Sequence, residues 1–243
     1  HDFHLPSIFS SFMPKSGGTF THNRMVQSLG YSEFYWAIPH PMNAQDIYVS
    51  RAASRIYTLG GFTAHCHMLP VPAVTHALAD IRDTPFWVHI RNPVDCVVAS
   101  FHHYLGQAQG EGELGASRRT YNAAEAQRLS LNLSDINAFA SAQLPFFVGW
   151  LRTWTDYATL NPQDVVFSFF DELDNPQGMF DRILHHYGAA CPKVTDLRRR
   201  QASDRLRHPG DERHELIPVV RARLLDMAAS ELKGFRHRDR ILA

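Results

Sequence analysis

The 243-residue sequence predicts a single α/β domain spanning residues 1–243, with a central, mostly parallel β-sheet flanked by helices. Three observations carry that expectation. Short apolar runs suited to buried strands alternate with segments of helical periodicity, which is the pattern of a parallel sheet covered on both faces. Two strand-to-helix junctions, near Lys15 and near Arg91, carry clear start signals. The composition, 44% hydrophobic and 20% charged, supplies a substantial core, and no repeat or linker divides the chain.

Taken in order, residues 7–13 ("SIFSSFM") read as a strand, short and apolar between Pro6 and Pro14. A glycine pair follows. Residues 19–29 then read as a helix with Met25, Val26 and Leu29 on one face and Gly30 as its stop. "DIYVS" (46–50) and "RIYTLGGFTAH" (55–65) carry weaker strand signals, and "PVPAVTHALADI" (70–81) a helical one. "PFWVHI" (85–90) is a buried strand running into a helix at "RNPVDCVVASFHHYL". There Asn92 can cap, Pro93 suits the first helical position, and Asp95 sits in the first turn. Val94, Val97, Val98, Phe101 and Leu105 mark the inward face.

Residues 106–135 turn rich in Gly, Ala, Ser, Arg and Glu and read as a loop or lid with one short helix. Residues 138–160 look helical, broken near Pro145, and "DVVFSFF" (164–170) is another strand. In "NPQGMFDRILHHYG" (175–188), Asn175 is the expected cap and Pro176 the first position. Met179, Phe180, Ile183, Leu184 and Tyr187 face inward, and Gly188 stops the helix. A basic irregular stretch (198–213) precedes a last helix over 218–233.

Formal net charge is zero, so no global field recruits nucleic acid or an anionic membrane, and any anion must be held locally. Three cysteines, Cys66, Cys96 and Cys191, are too few and odd for a disulfide framework, which favours a reducing compartment. With no membrane-length apolar run and no visible signal peptide, the expected location is cytoplasmic.

The first junction has the makings of an anion site. Backbone N–H groups at a helix N-terminus are unpaired and partly positive, and a Gly-Gly turn lets an anion approach them. Lys15 adds a charge, and Ser16 and Thr19 add hydroxyls. The lysine precedes the glycines, whereas the triphosphatase loop places it after them. At the second junction Arg91 stands beside a helix start, where the dipole disfavours a cation unless an anion is bound.

"PKSGGTF" (14–20) resembles the 5′-phosphosulfate loop P-K-S-G-T-T-W of the sulfotransferases. "RNPVDCVVASFHHY" (91–104) resembles that family's 3′-phosphate motif, R-[ND]-P-x-D-x-x-x-S-x-x-x-[FHY]. Further similarity runs through "HMLPVPAVTHAL", "FFDELDNPQGMFDRILHHYG" and, weakly, "RHPGDER". The resemblance implies a P-loop-like nucleotide-binding topology and a donor, 3′-phosphoadenosine 5′-phosphosulfate (PAPS), with adenosine 3′,5′-bisphosphate as product and no metal. It implies that Lys15 stabilises the leaving phosphate and that Ser16, Gly17, Gly18, Thr19 and Phe20 cradle the 5′ group. Arg91 and Ser100 would then bind the 3′-phosphate, with Arg205 and Arg207 as further candidates. The family's base is a histidine on the preceding strand. "AHCHMLPVP" offers His65 and His67, of which His67 better matches the spacing to Pro70 and Pro72. Alternation puts both on one strand face.

The pattern departs from the family at three places. Ala99 occupies the usual serine position, with Ser100 one residue on; Phe170 replaces an adenine-contacting tyrosine; and the C-terminal glycine-rich loop survives only as "RLRHPGDER". A metal at His65 and His67 is set aside because Cys66 points to the opposite face and two ligands do not make a zinc site. "GEGELG" (110–115) follows no strand and is no dinucleotide site. Phe146, Phe147, Trp150 and Trp154 have the helical spacing of core residues, and Phe147 and Trp150 are also candidates for an acceptor wall. The expected partner is a small-molecule or carrier-bound alcohol, with no nucleic acid and no membrane. Two alternatives stand beside this: a P-loop small-molecule kinase, and a non-catalytic nucleotide-binding domain.

Overall fold

A computed structural model describes residues 5–34, 55–64, 66–77, 85–108, 132–194 and 215–243. In chain order the elements are β1 (Phe9–Phe12), α1 (Gly18–Ser28), β2 (Ser32–Glu33), β3 (Phe62–Thr63), α2 (Pro72–Ala77) and β4 (Phe86–Ile90). These are followed by α3 (Pro93–Ala108), α4 (Ile136–Leu160), β5 (Val165–Phe169), a 3-10 turn (Phe170–Asp174), α5 (Pro176–His186), α6 (Pro218–Glu231) and α7 (Arg238–Leu242). The chain divides into two compact units, His1–Arg91 with Trp150–Leu197, and Asn92–Gly149 with Arg198–Ala243.

The first unit is built on a parallel sheet. β4 lies between β1 and β5, with Phe86 opposite Phe9 on one side and Val165 on the other. β2 and β3 pair in parallel. Bridges from Ile8 to Thr63 and from Ser11 to Cys66 join that pair to β1. The order is therefore β2-β3-β1-β4-β5. The chain leaves β1 toward one edge and later fills the other, so the direction of winding reverses between β1 and β4. In open α/β sheets a ligand crevice forms at such a reversal, outside the carboxyl ends of the strands.

All residues of β1, β4 and β5 are buried, as strands covered on both faces must be. On one face Phe12, Trp87 and Val166 pack with Met25 and Leu29 and with Met179, Phe180, Ile183 and Leu184 of α5. The Trp87 ring meets Phe12 and Phe180 edge-on at 5.4 and 5.9 Å. On the other face Phe86 meets Phe9 at 5.8 Å and Trp154 at 5.3 Å.

In the second unit, Asn92 caps α3 as expected: its Oδ1 accepts the Val94 N–H at 3.0 Å, with Pro93 next to it. Its amide also donates to the Leu242 carbonyl at 3.1 Å, and Asp95 pairs with Arg221 at 2.8 Å. Phe101 of α3 meets Phe139 edge-on at 5.3 Å.

Several boundaries differ from the sequence reading. Residues 55–57 form a helical turn, and only Phe62–Thr63 is strand. Tyr57 explains this, since its buried side chain turns inward to donate its hydroxyl to the Ile8 carbonyl. Residues 106–108 continue α3 instead of opening a loop. Pro145 does not break α4. It lies on the exposed side, while Leu144, Phe147, Val148 and Leu151 are buried around it, and that burial outweighs the roughly 3 kcal/mol a helical proline costs. Asn175, at φ −129°, makes no side-chain cap on α5. The candidate strand 46–50, most of the 106–135 segment and the basic stretch 198–213 lie outside the described residues.

Candidate functional site

The turn leaving β1 is shaped by two left-handed residues. Lys15, at φ 63°, is the one such non-glycine among the described residues, and Gly17 follows at φ 89°. The Ser16 N–H closes the turn onto the Met13 carbonyl at 3.0 Å. Gly17 is favoured by its φ, which side-chain-bearing residues rarely adopt, and a Cβ there would also press on the Leu173 side chain, with Cδ1 at 2.8 Å. Successive N–H groups in such alternating conformations form a concavity suited to an anion.

α1 begins directly at this turn. Its first inward bond runs from the Thr21 N–H to the Gly17 carbonyl at 3.0 Å. No side chain caps it and no acid stands in its first turn. The N–H groups at its start therefore present the positive end of the helix with no carboxylate of this helix to offset it.

Two buried donors adjoin the loop. The Ser16 side chain is fully buried and its Oγ has no hydrogen-bond partner. Arg91, half-buried, donates from one terminal nitrogen to the Lys15 carbonyl at 3.3 Å, while its buried Nε has no partner. Its guanidinium carbon lies 4.1 Å over the Phe170 ring, so the residue standing in the tyrosine position acts as a platform for the arginine. Leaving a buried donor unmade costs on the order of 1–3 kcal/mol each. Phosphate or sulfate oxygens are acceptors suited to such donors, so the donor set fits oxyanions.

His67 follows the bridge at Cys66 and is half-buried. Its Nδ1 lies 2.6 Å from the Phe12 carbonyl. That oxygen can only accept, so the proton sits on Nδ1 and the basic lone pair on Nε2. Burial pushes the imidazole pKa down; the Phe12 bond opposes this and the Lys15 charge adds to it. The ring is therefore neutral near pH 7 and carries the lone pair a general base needs. Its segment is held by the indole N–H of Trp150 on the His67 carbonyl (2.9 Å), and by Trp154 and Ser11 on the Met68 carbonyl (3.0 and 2.6 Å). Trp150 thus braces this strand and packs in the core at 2% exposure.

The neighbouring Cys66 is fully turned inward. Its thiol donates to the Ser10 carbonyl at 3.0 Å, and burial pushes its pKa up to about 12. Among the described residues no three His, Cys, Asp or Glu side chains converge. Thr19 is exposed, Gly18 is buried at the start of α1, and Phe20 is half-buried with Arg24 4.7 Å over its ring. Ser100 on α3 and Phe147 on α4 are buried within the second unit. His65, Arg205 and Arg207 lie outside the described residues.

One group escaped the sequence reading. His89, wholly buried on β4, places Nε2 2.9 Å from the Ser16 carbonyl and Nδ1 2.6 Å from Ser168 Oγ, which also receives the Trp87 indole N–H at 2.6 Å. Burial pushes the His89 pKa down to about 4, against the opposing influence of the Ser16 bond and the Asp171 charge. The signal was available: a histidine and a serine interrupt two otherwise apolar buried strands.

No protein-family profile and no curated protein matches this sequence. Solved structures do. The fold is similar to that of mouse sulfotransferase SULT7A1 complexed with PAP (TM-score 0.53, 13% identity, 97% of this chain and 87% of that one). It is equally similar to a sulfotransferase from Alicyclobacillus acidocaldarius (TM-score 0.53, 15% identity, 93% and 92%). The fold is therefore the P-loop-like α/β fold of the sulfotransferases, as the resemblance of the two junction motifs implies.

Proposed function

We propose that the chain is one sulfotransferase domain that moves the sulfuryl group of PAPS to an acceptor hydroxyl by in-line displacement. The observation that carries this reading is the pair of unpartnered buried donors, Ser16 Oγ and Arg91 Nε, beside an uncapped helix start at the winding reversal of the sheet. PAPS supplies an activated sulfuryl group with a good leaving phosphate. Ser16 to Phe20 offer backbone and hydroxyl donors to its 5′ end, and Arg91 a planar fork to its 3′-phosphate. Lys15 stabilises the negative charge that develops as the sulfur–oxygen bond to the phosphate breaks. His67 Nε2 takes the proton of the attacking hydroxyl. The acceptor is proposed to be a small-molecule or carrier-bound alcohol, and adenosine 3′,5′-bisphosphate is the product released.

Calorimetry with adenosine 3′,5′-bisphosphate against ATP with magnesium tests the donor. Micromolar or tighter binding of the bisphosphate, independent of magnesium and weakened at least tenfold by Arg91→Ala, is expected from the loss of charge-assisted bonds. A preference for magnesium ATP overturns the reading in favour of a kinase. Binding of the bisphosphate without turnover on any alcohol favours a non-catalytic nucleotide-binding domain.

A further inference from the structure

The hydrogen bonds around His89 have only one consistent direction. The Trp87 indole can only donate, so Ser168 Oγ accepts from it, and the Ser168 proton goes to His89 Nδ1. The Ser16 carbonyl can only accept, so the His89 proton sits on Nε2. The chain is determined from both ends, and it runs through the sheet core from Trp87 to the anion loop.

Its last bond acts on a peptide that is otherwise easily turned over. Gly17, at φ 89°, has no side chain to resist rotation of the Ser16–Gly17 peptide, because glycine accepts either sign of φ. In a trans peptide the carbonyl and the N–H point to opposite sides. A carbonyl held down toward His89 therefore turns the Gly17 N–H away from the core. That N–H has no acceptor among the described residues. The reversed peptide would instead present an oxygen to the site, and its negative dipole would repel an anion.

We propose that His89 is a positioning residue of the anion site. By donating Nε2–H to the Ser16 carbonyl it holds the Gly17 N–H toward the 5′-phosphate group of the bound nucleotide, and Ser168 and Trp87 hold His89 in the tautomer that can do so. The inference rests on the donor reading above, since it takes the 5′ group to lie in this loop.

The test compares two nucleotides by calorimetry, adenosine 3′,5′-bisphosphate and adenosine 3′-phosphate, which lacks the 5′ group. The wild type binds the bisphosphate more tightly. In His89→Leu that preference falls roughly 10- to 100-fold, the scale of one lost hydrogen bond to a charged group, while adenosine 3′-phosphate affinity stays unchanged. In Ser168→Ala it falls roughly 3- to 10-fold, the scale of a weakened neutral bond. His89→Gln, whose amide can still donate to Ser16, recovers most of the preference. A general loosening of the fold would weaken both nucleotides alike. Nitrogen NMR of the wild-type imidazoles gives an independent readout that no variant's folding can obscure, and His89 is expected as the neutral Nε2–H tautomer. An Nδ1–H tautomer, or a preference unmoved in the folded variants, overturns the inference and leaves the donor reading standing. A wild type with no preference for the bisphosphate overturns both.

Discussion

At the scale of the residue, the site depends on side chains whose nearest neighbours leave them a single role. His67 is such a case: the Phe12 carbonyl holds the Nδ1 proton, so only Nε2 can act as a base. His67→Ala is expected to lower sulfuryl turnover by about 10²–10⁴-fold, the range for a lost general base. Affinity for adenosine 3′,5′-bisphosphate should stay within about twofold, because the proposed donor contacts come from the loop and Arg91 and not from His67. Turnover kinetics beside calorimetry on the same variant check this, and a matched loss in both would assign His67 to binding. Lys15 shows what one residue's conformation can do. Its left-handed backbone lets the chain turn out of β1 so that Ser16 is buried while α1 starts two residues later.

At the scale of the element, burial overrides local preference in α4. Pro145 lacks the N–H of a helical bond and its ring crowds the preceding turn, yet Ile136–Leu160 is one helix. The sequence reading placed a break there because propensity is all that a window of sequence displays. Because Pro145 is exposed and nothing in the structure needs its ring, Pro145→Ala is expected to stabilise the protein. The gain should be about 1–2 kcal/mol, less than the full helical penalty, because the unfolded chain regains entropy with alanine. A higher urea midpoint at unchanged slope would show it, and an unchanged or lower midpoint would mean that the proline relieves a strain elsewhere in α4.

At the scale of the molecule, the buried histidines tie stability to pH. His89 is held down to about 4, and His67 and His22 are also lowered, each chiefly by burial. Unfolded histidines titrate near 6.5, so between that pH and the folded values the unfolded chain binds more protons. Stability then rises with pH and is lost as pH falls through the window from about 6.5 to about 4. For His89 alone the loss between pH 7 and pH 5 is about 2 kcal/mol. Urea unfolding at the two pH values should show it, and His89→Gln should flatten the acid limb by about one proton. A wild-type curve flat over that range would mean that His89 is not buried in solution. No helix among the described residues is long and apolar enough to cross a membrane.

What the sequence by itself determined is local and sequential. The strands at 9–12, 86–90 and 165–169 are short apolar runs bounded by breakers, and α1, α3 and α5 carry their start signals within a few residues, so each is legible in a window. The two junction motifs are likewise contiguous, which is why Lys15, Ser16, Gly17 and Arg91 could be named from their spacing. Contacts across the sheet were not legible. Nothing in a one-dimensional reading brings Ser168 to His89, 79 positions away, or His89 to the Ser16 carbonyl, 73 positions away. The platform of Phe170 under Arg91 belongs to the same class. Strand register and side-chain direction bring these groups together, and both are set only when β1, β4 and β5 pair and bury one another. The tertiary structure therefore decided which polar side chains of the core meet the turn after β1, because burial removes water and leaves each of them only the partners that strand pairing brings within reach.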